Sequence, residues 1–253
     1  MQRIHNAIQL TELSADDLAQ LYAYPSSLDR PWVRANFVSS IDGAATSGDL
    51  SGGLGTQADR TVFMLLRDLA DVVLVGAGTV RAENYGGARG AAGLRRALHR
   101  RGAGGHPDGS PPPIAVVTSS AGLDPDSRLF HDTAVPPLII TTAIAPADRK
   151  RRLAEAGGEV IEAGGVAVTP KALLSTLAER GLHRVLCEGG PSLFGELLAA
   201  DSVDELCLTT APVLVGGSAR RISLSAHEFG RPMDRRHVLL DADGTVLTRW
   251  VRR

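Results

Sequence analysis

Two glycine-rich segments carry the residue types best suited to hold an anionic ligand. One reads Val75-Gly76-Ala77-Gly78-Thr79-Val80, and the other reads Cys187-Glu188-Gly189-Gly190-Pro191-Ser192-Leu193. Each lies between an apolar run of strand length and a helical pattern. Amide N–H groups at the start of a helix lack intrahelical partners, and glycines let a phosphate approach the backbone. The pair predicts a diphosphate-containing ligand held across both segments.

A simpler interpretation makes each segment only a tight turn. A Rossmann dinucleotide fingerprint is disfavoured, because Arg81 stands where its third glycine should be and the first segment does not follow the first strand. Thr79 and Ser192, however, add a hydroxyl to the first turn of each predicted helix. Two such segments at the strand ends of one sheet favour ligand binding over turns alone.

Three charged residues are candidates for chemistry on a substrate. Glu188 follows an apolar strand and precedes two glycines, where a carboxylate has little structural purpose beyond capping amides. Asp42 belongs to an Asp-Gly turn, the slightly favoured interpretation, or projects into a cleft to bind substrate or move a proton. On spacing alone Arg67 is a solvated partner of Asp68; its functional alternative is a bidentate clamp on a phosphate.

Strand-length apolar runs alternate with helical patterns after Pro31, which is typical of βαβ units and a mainly parallel sheet. The predicted strands are Val33–Val38, Val72–Val75, Ile114–Val117, Leu138–Thr141, Val160–Ile161, Arg184–Cys187, Glu205–Thr209, His237–Leu240 and Val246–Val251. The predicted helices are Gln57–Leu69, Thr79–Glu83, Pro146–Ala156, Pro170–Arg180 and Pro191–Ala199. The fold class is therefore α/β, a mostly parallel central sheet flanked by helices, with antiparallel strands at the C-terminal edge.

The chain of 253 residues is expected to hold one α/β domain over residues 31–253, preceded by an N-terminal extension over residues 1–30. In the extension, Ser14 is predicted to cap a short helix through Leu21. The stretch Gly86–Pro113 is rich in glycine, arginine and proline. A mobile loop with a helical turn near Leu94–His99 is expected there.

Composition narrows the range of partners. The formal net charge of −1 gives no overall field to attract nucleic acid or an anionic membrane. No apolar run reaches the length of a membrane span, and Met1–Leu10 lacks the apolar core of a secretory signal. Cys187 and Cys207 are interpreted as buried thiols, and no histidine has metal-ligand spacing. A cytoplasmic protein with a small-molecule substrate, and without metal, nucleic-acid or membrane partners, is expected.

Four motifs together resemble the reductase domain of the bifunctional riboflavin deaminase–reductase, the RibD C-terminal family with its dihydrofolate-reductase-like fold. They are Ser40-Ile41-Asp42-Gly43, Leu66-Arg67-x-x-Ala70-Asp71 and the two glycine-rich segments. The resemblance spans nearly all of residues 31–253 and is closer still to a stand-alone actinobacterial branch. The zinc signature of the family's deaminase half is absent, so a reductase alone is expected.

The resemblance implies an NADPH-dependent reductase similar to 5-amino-6-(5-phosphoribosylamino)uracil reductase, with hydride transfer to C1′ of a ribosyl imine. It also implies a homodimer joined through the sheet edge. Positions that align with cofactor contacts are Gly53, Gly76, Gly78, Thr79, Glu83, Ser119, Gly189, Gly190, Pro191, Ser192 and Leu193. Positions that align with substrate contacts are Ser51, Arg67, near the 5′-phosphate, and Glu188. Asp42 and Glu188 are the candidate catalytic groups.

Several substrate-side positions depart from the family pattern. Asn36 replaces a common lysine, Gly53 a common tryptophan, and Glu83-Asn84-Tyr85 an Asp-x-Pro sequence. Two alternatives therefore stay open: a dihydrofolate or other pterin reductase on the same scaffold, and a non-catalytic NADP-binding protein. Ser119-Ser120, after a predicted strand, is the expected position of a cofactor 2′-phosphate.

Overall fold

Runs of aliphatic residues form the middle of a ten-stranded sheet in the computed structural model, which describes residues 7–48 and 50–253. The strands are β1 Ile8–Gln9, β2 Trp32–Ser40, β3 Val72–Gly76, β4 Ile114–Val117, β5 Leu138–Thr141, β6 Glu159–Glu162, β7 Arg184–Cys187, β8 Glu205–Ala211, β9 Met233–Leu240 and β10 Val246–Arg252. The helices are α1 Ala15–Leu21, α2 Gln57–Leu69, α3 Ala77–Ala82, α4 Ala92–Arg100, α5 Arg128–His131, α6 Ala147–Glu155, α7 Pro170–Ala178 and α8 Pro191–Ala199.

The strand order is β1-β9-β10-β8-β2-β7-β3-β4-β5-β6. Strands β8, β2, β7, β3, β4, β5 and β6 are mutually parallel, whereas β10 runs antiparallel to both β8 and β9. Helices cover both faces, with α1, α2, α4, α5 and α6 packed on one and α7 and α8 on the other. This arrangement confirms the predicted α/β class with a mostly parallel sheet and antiparallel strands near the C-terminus.

Every predicted strand and helix is present, and most of them begin or end a few residues away from the predicted position. The helix predicted over Thr79–Glu83 begins earlier, at Ala77, because Gly76 takes the extended backbone that precedes a helix. Two elements were not predicted: β1, which has two residues, and α5, which has four. Such short segments hold too few residues for a periodic pattern to form.

The N-terminal segment packs on the same core as the rest of the chain. Ser14 caps α1 in a capping box with Asp17, as its sequence position predicts. Leu18 of α1 is buried, β1 pairs in parallel with β9, and the Arg249 guanidinium donates to the carbonyl of Leu21. Met1 to Asn6, which include part of the predicted extension, lie outside the described residues.

The stretch over residues 86–113 is anchored, contrary to the mobile loop expected from its composition. It contains α4, whose Arg95 side chain is buried. The Arg95 guanidinium donates to the carbonyl oxygens of Arg67, Asp68, Ala70 and Ser110. Arg95 thereby satisfies backbone acceptors at the C-terminal end of α2 that have no partner within the helix. Composition gave no signal of this, because arginine is common both in solvated loops and in such caps.

Within the described residues, no helix combines the length and apolarity that crossing a membrane requires. In the same part of the chain, no three or more His, Cys, Asp or Glu side chains are grouped so as to hold a metal ion.

Candidate active site

The two glycine-rich junctions lie side by side, because β3 and β7 are neighbouring parallel strands. The amide of Gly76 donates to the carbonyl of Gly189 over 2.8 Å, so the junctions are hydrogen-bonded to each other. Both open at the carboxyl ends of their strands, which is where ligands bind in open α/β sheets. The structure thus joins two segments that are more than a hundred residues apart in the sequence.

Backbone conformation explains one of the glycines and close packing against a side chain explains another. Gly189 has a φ of +92°, a conformation that side-chain-bearing residues rarely adopt. A Cβ on Gly190 would lie only 2.5 Å from Oγ1 of Thr79. The joined surface therefore presents backbone groups and a threonine hydroxyl without intervening bulk, which suits the diphosphate of a dinucleotide.

A cavity of about 1050 Å³ opens over this surface. That volume lies at the upper end of the range for small-molecule and cofactor sites. The predicted residues that line it are Ser51, Gly76, Gly78, Thr79, Glu83, Ser119, Glu188, Gly190, Pro191, Ser192 and Leu193. The Glu83 carboxylate accepts a hydrogen bond from the Ser51 amide at 2.8 Å, so two residues predicted for different ligands meet directly.

Arg67 lies behind Glu188 rather than in the cavity wall. Its Nε and Nη2 donate to Oε1 and Oε2 of Glu188 over 2.8 and 2.7 Å, in a bidentate pair. The side chains are only 10% and 3% exposed. Burial is the largest single effect and lowers the pKa of the Arg67 guanidinium, but the charges and hydrogen bonds of Glu188 and Tyr85 together outweigh it, and the net shift is upward. The guanidinium fork expected to meet a phosphate is thus engaged by a carboxylate.

Tyr85 completes the environment of Glu188. Its hydroxyl donates to Oε2 over 2.7 Å, so Oε2 accepts two hydrogen bonds and Oε1 accepts one. Burial, followed by the charge of Glu188, raises the pKa of the Tyr85 phenol well above its usual value, which keeps it protonated as a donor. A carboxylate oxygen has two lone-pair sites. Oε1 therefore retains one acceptor position, and Glu188 lines the cavity.

Asp42 is held in the turn that follows β2, as the slightly favoured interpretation of its sequence predicts. Its carboxylate accepts hydrogen bonds from the Ser40 hydroxyl and from the amides of Val215 and Gly216, at 3.2 and 2.7 Å. These bonds, that of Ser40 first, lower its pKa to about 2. Among the described residues Asp42 does not line the cavity. Instead it anchors the connection over residues 212–232, from which Arg220 and Ile222 reach the cavity wall.

Two other predicted positions also stand outside the cavity lining in the described chain, Gly53 and Gly189. A Cβ on Gly53 would be 2.9 Å from the carbonyl oxygen of Ser47, so this glycine serves a tight backbone contact. Gly189 supports the joined turns from behind, through its carbonyl bond to Gly76.

Sequence reasoning missed Asp59 and Phe63, which line the cavity from α2. Together with Arg67 they are spaced four residues apart, and residues at this spacing share one helix face. The Phe63 ring lies 4.3 Å from the Arg67 guanidinium carbon, and burial raises the pKa of Asp59. The sequence did contain a signal for Asp59 and Phe63. They lie on the helix face next to the buried stripe of Val62, Leu65, Leu66 and Leu69.

Basic and hydroxyl groups gather at one end of the cavity, beyond β4. Ser119, Ser120 and Arg81 line it there, and the Arg81 guanidinium donates to the carbonyl of Gly122 over 2.9 Å. Nη1 of Arg149 lies 3.4 Å from the carbonyl oxygen of Ser120. Two arginines therefore flank the serine pair where a 2′-phosphate was expected.

The geometry agrees with comparisons to known proteins. The sequence profile of the RibD C-terminal domain family matches residues 31–247. The 2,5-diamino-6-ribosylamino-4(3H)-pyrimidinone 5′-phosphate reductase of Aquifex aeolicus is 31% identical over 195 residues, which are 75% of this chain and 80% of that protein. The riboflavin biosynthesis protein RibD of Bacillus amyloliquefaciens is 29% identical over 90% of this chain, which spans only 58% of that longer protein.

A crystal structure of a pyrimidine reductase-like protein from Corynebacterium diphtheriae is similar over almost the whole chain. It has a TM-score of 0.80 and 28% sequence identity, and covers 93% of this chain and 98% of its own. The fold class predicted from the resemblance is thereby confirmed. With a profile match over most of its length, the chain belongs to the RibD C-terminal domain family.

Proposed function

We propose that this protein is a nicotinamide-dependent reductase of a phosphoribosylamino-pyrimidine, the reaction named for its Aquifex relative. One observation carries the proposal: the two hydrogen-bonded glycine turns and the buried Glu188 carboxylate border the same cavity. The surface that would bind the nucleotide and the carboxylate that would bind the substrate thus border one cavity, where a cofactor and a substrate could be in contact with each other. The reduction needs that juxtaposition above all, because positioning supplies much of the barrier lowering in hydride transfer.

The cofactor would supply hydride to C1′ of the ribosyl imine. The residues that would hold it are Gly76, Gly78 and Gly190 of the two turns with Thr79 and Ser192, all of which line the cavity. Glu188, fixed by Arg67 and Tyr85, would accept a hydrogen bond from a substrate N–H or O–H through Oε1. Glu83, tied to the Ser51 amide, would keep the loop containing Ser51 against the substrate.

NADPH rather than NADH is the proposed cofactor. Arg81, Arg149 and the serine pair 119–120 provide the positive charge and hydroxyls that a 2′-phosphate requires. Replacing Arg149 with alanine removes one of the two guanidinium groups and leaves the glycine turns intact. The expected result is a rise of about tenfold in the Kd for NADPH, with that for NADH unchanged, measured by fluorescence titration. Equal changes for both nucleotides would contradict this assignment.

The decisive assay follows NADPH oxidation by the purified protein with the phosphoribosylamino forms of 5-aminouracil and of 2,5-diaminopyrimidinone as separate substrates. Turnover with either supports the proposal, and the ratio of the two kcat/KM values identifies the preferred ring. Tight NADPH binding with no turnover on any substrate offered, dihydrofolate included, would contradict it and favour a non-catalytic NADP-binding protein.

A second candidate, reduction of dihydrofolate or another pterin, is favoured by one observation. The Arg67 fork, expected at the substrate phosphate, is engaged by Glu188, so a ligand without a phosphate loses less here. Apart from Arg81, which is assigned to the cofactor 2′-phosphate, the exposed arginines that line the cavity in the described chain are Arg60 and Arg220. Steady NADPH oxidation with dihydrofolate, and none with the phosphoribosylamino-pyrimidines, would select this candidate.

The homodimer joined through the sheet edge stays a prediction. Sedimentation velocity of the purified protein at micromolar concentration measures it, with a single species of twice the chain mass as the expected result and a monomer as the contrary one.

A further inference from the structure

Reduction of a C=N bond needs a proton as well as a hydride, and Asp59 is a carboxyl of the cavity wall whose part in the reaction is not yet assigned. Asp59 lies in the first turn of α2, and its side chain lines the cavity. Its own backbone N–H is bonded to the Thr56 cap at 3.2 Å, so its position on the helix is fixed. Phe63, one turn further on the same face, also lines the cavity.

The surroundings of Asp59 favour a neutral carboxyl. Desolvation by burial raises its pKa, against smaller opposing effects of a hydrogen bond with Thr209 of β8 and the charge of Arg60. The charged or titratable side chains that line the same cavity are Arg60, Arg81, Glu83, Glu188, Glu196 and Arg220. Of these, Arg60 follows Asp59 directly in the sequence, and its charge lowers the pKa of Asp59. This upward shift moves the pKa of Asp59 toward the range in which a general acid works.

The other carboxyls of the site are engaged or lie elsewhere. Glu188 is ion-paired to Arg67 and accepts from Tyr85, and Glu83 accepts from the Ser51 amide. Asp42 lies outside the cavity lining of the described residues and has a lowered pKa. Glu196 of α8 also lines the cavity and is exposed to solvent. Each of these groups is therefore held by other residues, outside the cavity lining or exposed.

We propose that Asp59 is the general acid of the reduction, an inference that rests on the proposed function. As hydride reaches C1′ from the reduced nicotinamide, the C=N π bond breaks toward nitrogen. The Asp59 O–H bond breaks, an N–H bond forms on the substrate nitrogen, and Asp59 is left as a carboxylate. Water returns its proton after product release. The cofactor is oxidised, the substrate is reduced, and one proton is consumed per turnover.

Two consequences separate this role from a structural one. An acid must be protonated to act, so kcat/KM for the substrate should fall as the pH rises through the pKa of Asp59. The contribution of Asp59 to the unfolding free energy of the protein should also depend on pH. It is highest at low pH, where Asp59 is neutral, and it falls as the pH rises through the raised folded-state pKa of Asp59. Above that pH the folded protein carries a desolvated charge.

The experiment compares Asp59→Asn, which keeps the size of the side chain and removes the acid, with Asp16→Asn, the same change at an exposed position of α1. The wild type and both variants are assayed over pH for kcat and KM, and NADPH binding is titrated. Thermal unfolding of the proteins without ligand is measured at about pH 5 and about pH 8.

For Asp59→Asn we expect kcat to fall by about 10²- to 10³-fold, the descending limb of the pH profile to disappear, and the Kd for NADPH to stay unchanged. Its Tm should exceed that of the wild type at the higher pH, and the difference should shrink at the lower pH. Asp16→Asn should match the wild type throughout.

An Asp59→Asn protein that keeps kcat and its pH limb would overturn the proposal, as would one in which only KM rises, because that marks a binding group. A wild type that never turns over would defeat the proposed function instead. In that case the Tm difference between the wild type and Asp59→Asn still tests whether Asp59 holds a proton in the cavity. If this difference did not change with pH, the assignment of Asp59 as the acid would be overturned even without an activity measurement.

Discussion

Two buried glutamate–arginine pairs flank strand β2, and they differ in what else each carboxylate contacts. Glu205 of β8 lies opposite Arg34 in the strand register, and Glu188 follows Cys187, which lies opposite Ala35. The two carboxylates are therefore separated by one strand and offset by about two residues along it. Both accept a bidentate bond from a buried guanidinium.

Glu205 is enclosed on every side. It accepts hydrogen bonds from Arg34, from Arg249 at 2.8 and 3.1 Å, and from the Trp32 indole at 3.1 Å. Its side chain and that of Arg34 are 0% exposed. Desolvation raises the pKa of Glu205, but the two guanidinium groups outweigh it and the net shift is downward. With its acceptor sites filled, this carboxylate has no remaining position for a ligand.

Glu188 accepts hydrogen bonds from one arginine and one tyrosine, keeps one acceptor position on Oε1, and lines the cavity. The two carboxylates therefore differ in what they can still bind. The acceptor sites of Glu205 are all filled by protein donors, whereas Glu188 keeps one acceptor site and lines the cavity, so Glu188 is the one that can contact a ligand.

The largest effect is expected when Glu205 is replaced by Gln. The amide cannot balance the charges of Arg34 and Arg249, which stay buried beside it. Loss of one partner of a buried ion pair costs about 3–5 kcal/mol of unfolding free energy. Urea unfolding measures the loss of unfolding free energy in each variant. A smaller loss in Glu205→Gln than in Glu188→Gln would show that the Glu205 pair is not the more structural of the two.

The next effect is expected on catalysis when Glu188 is replaced by Gln. The variant should lose about 10²-fold in kcat/KM, or about 2.7 kcal/mol of transition-state stabilisation, because the substrate is no longer oriented by a fixed anion. NADPH affinity should be unchanged, and stability should fall less than in the Glu205 variant. Equal loss of NADPH binding would place Glu188 in the cofactor site instead.

A smaller effect is expected when Tyr85 is replaced by Phe, which removes only the hydroxyl that donates to Oε2 of Glu188. A hydrogen bond to a charged group contributes about 1.5 kcal/mol or more, so kcat/KM should fall about tenfold. Steady-state kinetics measure this change, with Phe63→Leu assayed in parallel because it alters the ring packed on Arg67. The comparison distinguishes the effect of the lost hydroxyl from an effect of altered packing around Arg67. An unchanged kcat/KM in Tyr85→Phe would remove Tyr85 from the group that orients Glu188.

Much of the fold was predictable, because it depends on local pattern. The apolar run Val72–Val75 predicts a covered strand, and the stripe Val62, Leu65, Leu66 and Leu69 predicts the buried face of α2. The glycine turns were predictable as a pair, since both follow strands of one parallel sheet. Their direct hydrogen bond depends on β7 lying beside β3, a strand order that no local pattern encodes.

The partners of the buried charges were not predictable. Arg67 and Glu188 are 121 residues apart, and Arg34 and Glu205 are 171 apart, so neither pair leaves a spacing signal. In the sequence, Arg67 is a helical arginine next to an aspartate, a common arrangement that does not indicate a distant partner. Tyr85 interrupts the family pattern, and only the structure gives it a partner in Glu188. Long-range pairing of this kind is set by topology and packing, not by local propensity.

In the proposed function, hydride passes from a nicotinamide to a ribosyl carbon within the cavity beside Glu188. To test this, the protein is incubated with NADPH deuterated at both C4 positions and the phosphoribosylamino-pyrimidine, and the product is analysed by mass spectrometry and NMR. We expect one deuterium, at C1′ of a ribityl chain, and a rate that falls with Glu188→Gln. Product without deuterium at that carbon, or no product while the nucleotide is bound, would show that the cavity does not support this hydride transfer.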